Sequence, residues 1–242
     1  MAVILWIGTT AHGLAAACEK ITFEELPFTI CQADAAKDDL RLFLADQQGD
    51  VFGQFSAVNN ALEPKGQQLG FAMNAGMYLP DRSPVGHFVE NGKALKRLLT
   101  GPSGGNFGLL PNGVFCIQPS AYRVIETLRY ADEAPDCTFA TQSGPMLVID
   151  GALHPRLLPD GTSRFIRNGV GTSADGLRAM FAISDRVVNF HTFARLFRDV
   201  LGTPNALYFD GKVSRLYARN LNRSDFGFSV GPIVGTVEPL SN

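Results

Sequence analysis

Five stretches of the chain combine polar side chains with small residues in a way that packing alone does not demand. Met73-Asn74-Ala75-Gly76-Met77-Tyr78 closes an apolar run. Asn74 offers amide donors and an acceptor, and Ala75 and Gly76 let backbone N–H groups approach a ligand. Gly104-Gly105-Asn106-Phe107-Gly108 is a polar loop without the Gly-Lys-Ser/Thr ending of a phosphate-binding P-loop. Ala140-Thr141-Gln142-Ser143-Gly144-Pro145 leads into another apolar run. Ser143 is not framed by the Gly-x-Ser-x-Gly elbow of a serine nucleophile. Arg164 to Arg167, followed by Asn168-Gly169-Val170-Gly171, sets a fixed cation beside an amide and glycines. A guanidinium suits two-pronged recognition of phosphate or carboxylate. Finally, Phe209-Asp210-Gly211-Lys212-Val213-Ser214 ends an apolar run with an acid, a base and a hydroxyl.

The histidines add little by spacing. His12, His87, His154 and His191 form no HxxxH or HExxH pair, so a zinc hydrolase is not indicated. His191 stands at the start of a helical pattern, where a partly buried polar residue and a catalytic one are equally served. Asp- and Asn-rich turns contain calcium-type ligands, but none has the EF-hand spacing, and no cofactor is expected. The four cysteines, Cys18, Cys31, Cys116 and Cys137, match neither a zinc ribbon nor a CxxC redox motif. Sequence order favours Cys18–Cys31 and Cys116–Cys137 as disulfides, the first across a hairpin turning at Leu26-Pro27. A buried free thiol also suits Cys116 within Val114-Phe115-Cys116-Ile117.

Those residues need elements to hold them. Alternating or short apolar runs predict strands over Phe28–Cys31, Leu40–Leu44, Gly70–Met73, Gly113–Ile117, Tyr122–Leu128, Pro145–Ile149, Arg178–Ile183, Val187–Phe190, Ala206–Phe209 and Val213–Tyr217. Asn-Gly and Asp-Gly turn dipeptides separate several of them. Ser56–Leu62 reads as a short helix with Ser56 as N-cap. Thr192–Leu201 reads as a stronger one, because Phe193, Leu196, Phe197, Val200 and Leu201 share one face. Gly202 and Pro204 end it. Many strands with few helices make the fold class α+β, a mixed, strand-rich sheet core in a single domain.

Composition narrows the function. The 242 residues carry 21 Lys+Arg and 23 Asp+Glu, a net charge of −2, which gives no electrostatic case for a nucleic-acid binder. Charged residues make up 18% and apolar ones 45%, which excludes intrinsic disorder. Met1 to Ala17 contains no Lys, Arg, Asp or Glu and ends Ala15-Ala16-Ala17 after an apolar run. That pattern predicts a signal peptide over 1–17 and a domain over 18–242, exported to the periplasm or beyond. The run is too short to span a membrane. Cys18 follows the alanines, but Ala15 stands where a lipobox has Leu, so ordinary cleavage is favoured over a lipid anchor.

The order of Asn74-Ala75-Gly76-Met77-Tyr78, Gln142-Ser143-Gly144-Pro145-Met146-Leu147, Arg167-Asn168-Gly169-Val170-Gly171 and Phe209-Asp210-Gly211 resembles the phosphodiester glycosidase family, over about residues 38–235. Its bacterial exported members are the most similar. The last block departs from the family, with Lys212 and Val213 in place of two glycines. The resemblance implies a hydrolase acting on a sugar-phosphate diester or a related cell-envelope glycan linkage. Its blocks imply roles for Asp210 and Arg167 as catalytic and for Asn74, Gly76, Tyr78, Gln142, Ser143, Gly144, Asn168, Gly211 and Ser214 at the substrate. The chemistry of the residues adds His191 as a third catalytic candidate and His87 and Asn106 as substrate contacts. The altered last block leaves one alternative, ranked second: a non-catalytic envelope glycan-binding protein on the same fold.

Overall fold

The computed structural model describes residues 17–210 and 213–240. The expected leader up to residue 16, His12, Gly211 and Lys212 lie outside the described residues. In chain order the strands are β1 (Cys18–Phe23), β2 (Leu26–Asp34), β3 (Asp39–Phe43), β4 (Gln67–Asn74), β5 (Phe88–Glu90), β6 (Lys93–Lys96), β7 (Gly113–Gln118), β8 (Ala121–Glu126) and β9 (Phe139–Ser143). They continue as β10 (Met146–Ile149), β11 (Ala152–Leu153), β12 (Asn168–Thr172), β13 (Arg178–Ser184), β14 (Asn205–Asp210), β15 (Leu216–Ala218), β16 (Arg223–Ser224) and β17 (Ile233–Pro239). The α-helices are α1 (Phe55–Leu62), α2 (Thr127–Glu133) and α3 (Phe190–Arg195).

The strands form three antiparallel sheets. One has seven strands in the order β1-β2-β13-β12-β14-β10-β11; the others have five, β16-β15-β4-β17-β3 and β6-β5-β9-β7-β8. This is the strand-rich α+β class that the apolar patterning predicts. Period-two alternation places one face of each sheet in a shared core. On β14, Leu207 and Phe209 join Phe71 and Met73 of β4 and Phe115 of β7 in that core. Ala206 and Tyr208, one residue out of phase, pack instead under Phe193, Ala194 and the Leu196–Phe197 segment. The other outer faces are covered in the same way. Helix α1 seals β4 and β17 through Phe55, Val58 and Leu62. Tyr130 of α2 packs on Val114, Cys116 and Ala140.

Several boundaries differ from the sequence reading, each for a local reason. The strand expected over Tyr122–Leu128 stops at Glu126, whose carboxylate accepts from Leu128 N and Arg129 N and caps α2, a helix that alternation had hidden. Val187–Phe190 is not a strand. Val188 forms one isolated bridge to Phe165, and Asn189 caps α3 by accepting from Thr192 N at 2.8 Å. The helix therefore begins at Phe190 and widens into a π-helical turn over Leu196–Val200. Gln54, not Ser56, precedes the first residue of α1. The first hairpin turns at Glu24-Glu25, both left-handed at φ 49° and 62°, while Pro27 lies inside β2 opposite Thr22.

Both expected disulfides are present: Cys18–Cys31, directly opposed across β1 and β2, and Cys116–Cys137. No cysteine among the described residues is free. Two structural disulfides accord with an oxidising compartment. No helix of the described residues is long and apolar enough to cross a membrane.

Candidate active site

All three sheets send a polar residue to the same end of the core. Asn74 is the last residue of β4, Ser143 the last of β9, Asn168 the first of β12 and Asp210 the last of β14. Asn168 faces Asp210 across the β12–β14 pair, with a register shift beside it. Such a bulge re-aims the side chains next to it.

Hydrogen bonds stitch these ends together. Asn168 Nδ2 donates to Asn74 O at 2.7 Å and to Asn74 Oδ1 at 3.2 Å, joining two sheets. Its Oδ1 accepts from Asp210 N at 3.2 Å. Ser143 Oγ donates to Phe209 O at 3.0 Å and brings in the third sheet. Ser214 Oγ lies 2.9 Å from both Ile166 O and Asp210 O, and its single proton serves one of them. Asn74 Oδ1 also accepts from Arg215 N at 2.9 Å. Asn74 Nδ2 is buried and has no partner. A buried donor left unmade costs about 1–3 kcal/mol.

Asp210 opens onto a cleft of about 410 Å³ that Met77, Tyr78, Val85, Ser103, Gly104, Gly105, Asn106, Phe107, Phe165 and Val213 also line. The turn after β4 reaches the cleft because Gly76 holds φ 127°, and a Cβ there would come within 3.0 Å of Thr141 Oγ1. Burial raises the Tyr78 phenol above its ordinary value, and the Asp210 carboxylate adds to the effect. A larger depression of about 600 Å³, lined by Arg41, Phe52, Lys65, Glu90 and Phe139 among others, contains none of the candidate site residues.

Arg167 is placed differently from the expected phosphate clamp. Its side chain is fully buried. Nε donates to Val188 O at 3.0 Å, Nη1 to Tyr208 Oη at 3.1 Å and Nη2 to Ser163 O at 2.8 Å. Phe190 stacks 3.5 Å from the guanidinium carbon. Burial lowers its pKa below the ordinary arginine value. Arg215, which motif reading passed over, is nearly as buried. It donates to Gln54 Oε1 at 2.9 Å and Gly53 O at 3.1 Å, and its Nε has no partner. Among the described residues neither guanidinium is paired with a carboxylate.

Other expected contacts lie elsewhere. The Gln142 amide is spent inside the protein: Oε1 accepts from His87 N and Leu99 N, and Nε2 donates to Leu99 O and Thr127 Oγ1. His87 sits between Lys96 O at 2.8 Å and Tyr130 Oη at 3.1 Å, where burial lowers its pKa. Gly144 packs on Asn112, whose Cβ a side chain would meet at 2.5 Å. His191, half-buried on α3, does not line the cleft. Asp210, Tyr78 and Asn106 do line it, with Asn74, Asn168, Ser143 and Ser214 tied in beside Asp210. No group of three or more His, Cys, Asp or Glu among the described residues is arranged to hold a metal ion.

The phosphodiester glycosidase (NAGPA) family model matches residues 67–234, from the start of β4 into β17. The chain belongs to the phosphodiester glycosidase family. The matched span contains all the residues of the stitched site. YigE, an uncharacterized protein of Escherichia coli (strain K12), is 32% identical over 180 residues, 74% of this chain and 70% of that protein. The catalytic domain of zebrafish N-acetylglucosamine-1-phosphodiester alpha-N-acetylglucosaminidase, auto-inhibited by its pro-peptide, shares the fold with a TM-score of 0.61. That match has 12% identity and covers 90% of this chain and 81% of that one. A hypothetical protein from Synechocystis has a TM-score of 0.53 at 14% identity, over 91% of this chain and 61% of the other.

Proposed function

We propose that this phosphodiester glycosidase family member hydrolyses a glycosyl phosphodiester, or a related cell-envelope glycan linkage, after export through a leader over 1–17. The observation that carries the reading is the placing of Asp210. Asp210 lines a cleft while the backbone around it is held by Asn168 and Ser214; buried Arg167 donates to Tyr208 Oη, two residues before Asp210, and the backbone of buried Arg215 donates to Asn74 Oδ1. A cleft of about 410 Å³ is of the size that takes one small polar ligand.

Breaking a glycosyl bond passes through an oxocarbenium-like transition state. Asp210 stabilises the positive charge that develops at the anomeric carbon, or takes the proton of the attacking water. Phosphate leaves readily as an anion, so no strong general acid is required. The buried guanidiniums of Arg167 and Arg215 supply a positive field that solvent screens poorly, and this favours an anionic diester over a neutral glycoside. Asn106 and Tyr78, both in the cleft lining, are the side chains assigned to the sugar. The unpartnered Asn74 amide is a donor to substrate or to an ordered water.

The test is release of free sugar from UDP-sugars and sugar-phosphate diesters by the purified protein and by Asp210→Asn. The expected outcome is turnover that falls at least about a thousandfold in the variant, at unchanged melting temperature. Binding without turnover across the panel would assign the chain a glycan-binding role instead.

A further inference from the structure

Phe226 and Phe228 are 98% and 81% exposed, although each would gain from burial. Looseness of the loop does not explain this, because its backbone is fixed at several points. Asp225 N donates to Leu216 O and Asp225 Oδ2 accepts from Leu216 N, both at 2.9 Å. Gln54 Nε2 donates to Gly227 O at 3.1 Å, and Val230 N to Gly53 O at 2.9 Å. Two rings are therefore presented to water from a backbone that is already ordered.

The loop is continuous with the cleft. Tyr78, a cleft wall, places its hydroxyl 3.5 Å from Ser229 O, and Gly231 packs so closely on Tyr78 that a Cβ would lie 2.5 Å from the tyrosine's own. From this we propose that Phe226 and Phe228 form an aromatic platform that stacks against a sugar ring of the substrate beyond the linkage held at Asp210. The substrate class is then an extended glycan rather than a lone sugar phosphate. The proposal rests on the reading of the cleft as a glycosyl site. Aromatic faces stack well on the C–H faces of pyranose rings, and a rigid phenyl group gives up little conformational freedom in doing so. A membrane fits less well. Of the two arginines beside the loop, Arg223 is neutralised by Asp185 at 2.6 Å and Asp225 at 2.9 Å, and Arg215, packed under Gly227, is buried and not presented to an anionic lipid surface.

The experiment is calorimetric titration with N-acetylglucosamine, glucose and mannose and with their linear tetramers, on the full chain, F226A/F228A and F226Y/F228Y. At least one tetramer is expected to bind about tenfold tighter than its monomer. That preference should vanish in the alanine variant and be kept in the tyrosine one. No tetramer preference in the unaltered protein, or an equal preference in F226A/F228A, would overturn the platform. Phenylalanine-dependent sedimentation with phosphatidylcholine vesicles, or a phenylalanine-dependent dimer, would overturn it too. Titration does not require turnover, so a chain that binds tetramers but hydrolyses nothing sinks the hydrolase reading and leaves the platform standing.

Discussion

At the scale of single residues, Arg167 and Asp210 divide the work in a way their neighbours explain. Asp210 ends β14 and faces the cleft; Arg167 precedes β12 and turns inward, where Val188 O, Ser163 O and Tyr208 Oη take up its donors. Arg167→Met keeps much of the volume and leaves those acceptors unmet. We expect a loss of about 2–4 kcal/mol in urea unfolding, because hydrogen bonds to a charged group are broken in the interior. A variant as stable as the parent would contradict the burial. The local motif showed residue types in Arg167-Asn168-Gly169 but not the direction of the guanidinium, which depends on Phe190 and Tyr208 far along the chain. Arg215 was illegible for the same reason: its partners come from residues 53, 54 and 74. Asp210 and Tyr78 were legible because each stands near the end of an apolar run that gives way to small or polar residues, and Asn106 because it lies in a glycine-rich polar loop.

At the scale of elements, strand β12 fits under α3 only because it is glycine-rich. A Cβ at Gly171 would lie 2.5 Å from Thr203 Oγ1 and 2.8 Å from Phe197 Cδ1, within the π-helical turn that follows α3. Gly171→Ala therefore pushes that turn off the seven-stranded sheet. The expected cost is about 1–3 kcal/mol, read as a melting temperature lower by several degrees. An unchanged melting temperature would mean that the turn yields without strain. The Phe-rich stripe of α3 was visible in the sequence because its period is helical. Helix α2 was not, because Tyr122-Arg123-Val124-Ile125 continues a strand pattern up to the capping Glu126. Strands β5, β11 and β16, of two or three residues, are too short to show any period and exist only through their partners.

At the scale of the whole molecule, three sheets close on one core, and two histidines, half-buried His87 and fully buried His154, are held in contacts that suit the neutral ring. His87 and His154 both have pKa values lowered, first by burial. Between the folded value and the unfolded one near about 6.5, the unfolded chain binds more protons. The stability these rings contribute is thus complete above about pH 6.5 and is lost as pH falls toward their folded values. The melting temperature should drop between about pH 7.5 and 5.5, with a shallower drop in His87→Gln; a flat profile would contradict the burial of the rings. The fold class and both disulfides were legible at this scale, because they follow from patterning and chain order; the family was legible through its ordered blocks, although the match begins at residue 67 and not near 38. The convergence of all three sheets on Asp210 was not, since it depends on registers between strands far apart in sequence. Whether the cleft acts at the anomeric carbon is read from the bond that breaks during hydrolysis in heavy-oxygen water. If the protein is a glycosidase working through Asp210, the label enters the released sugar, the phosphate stays unlabelled, and Asp210→Asn stops the incorporation. Label in the phosphate, or incorporation that survives in Asp210→Asn, would contradict the account.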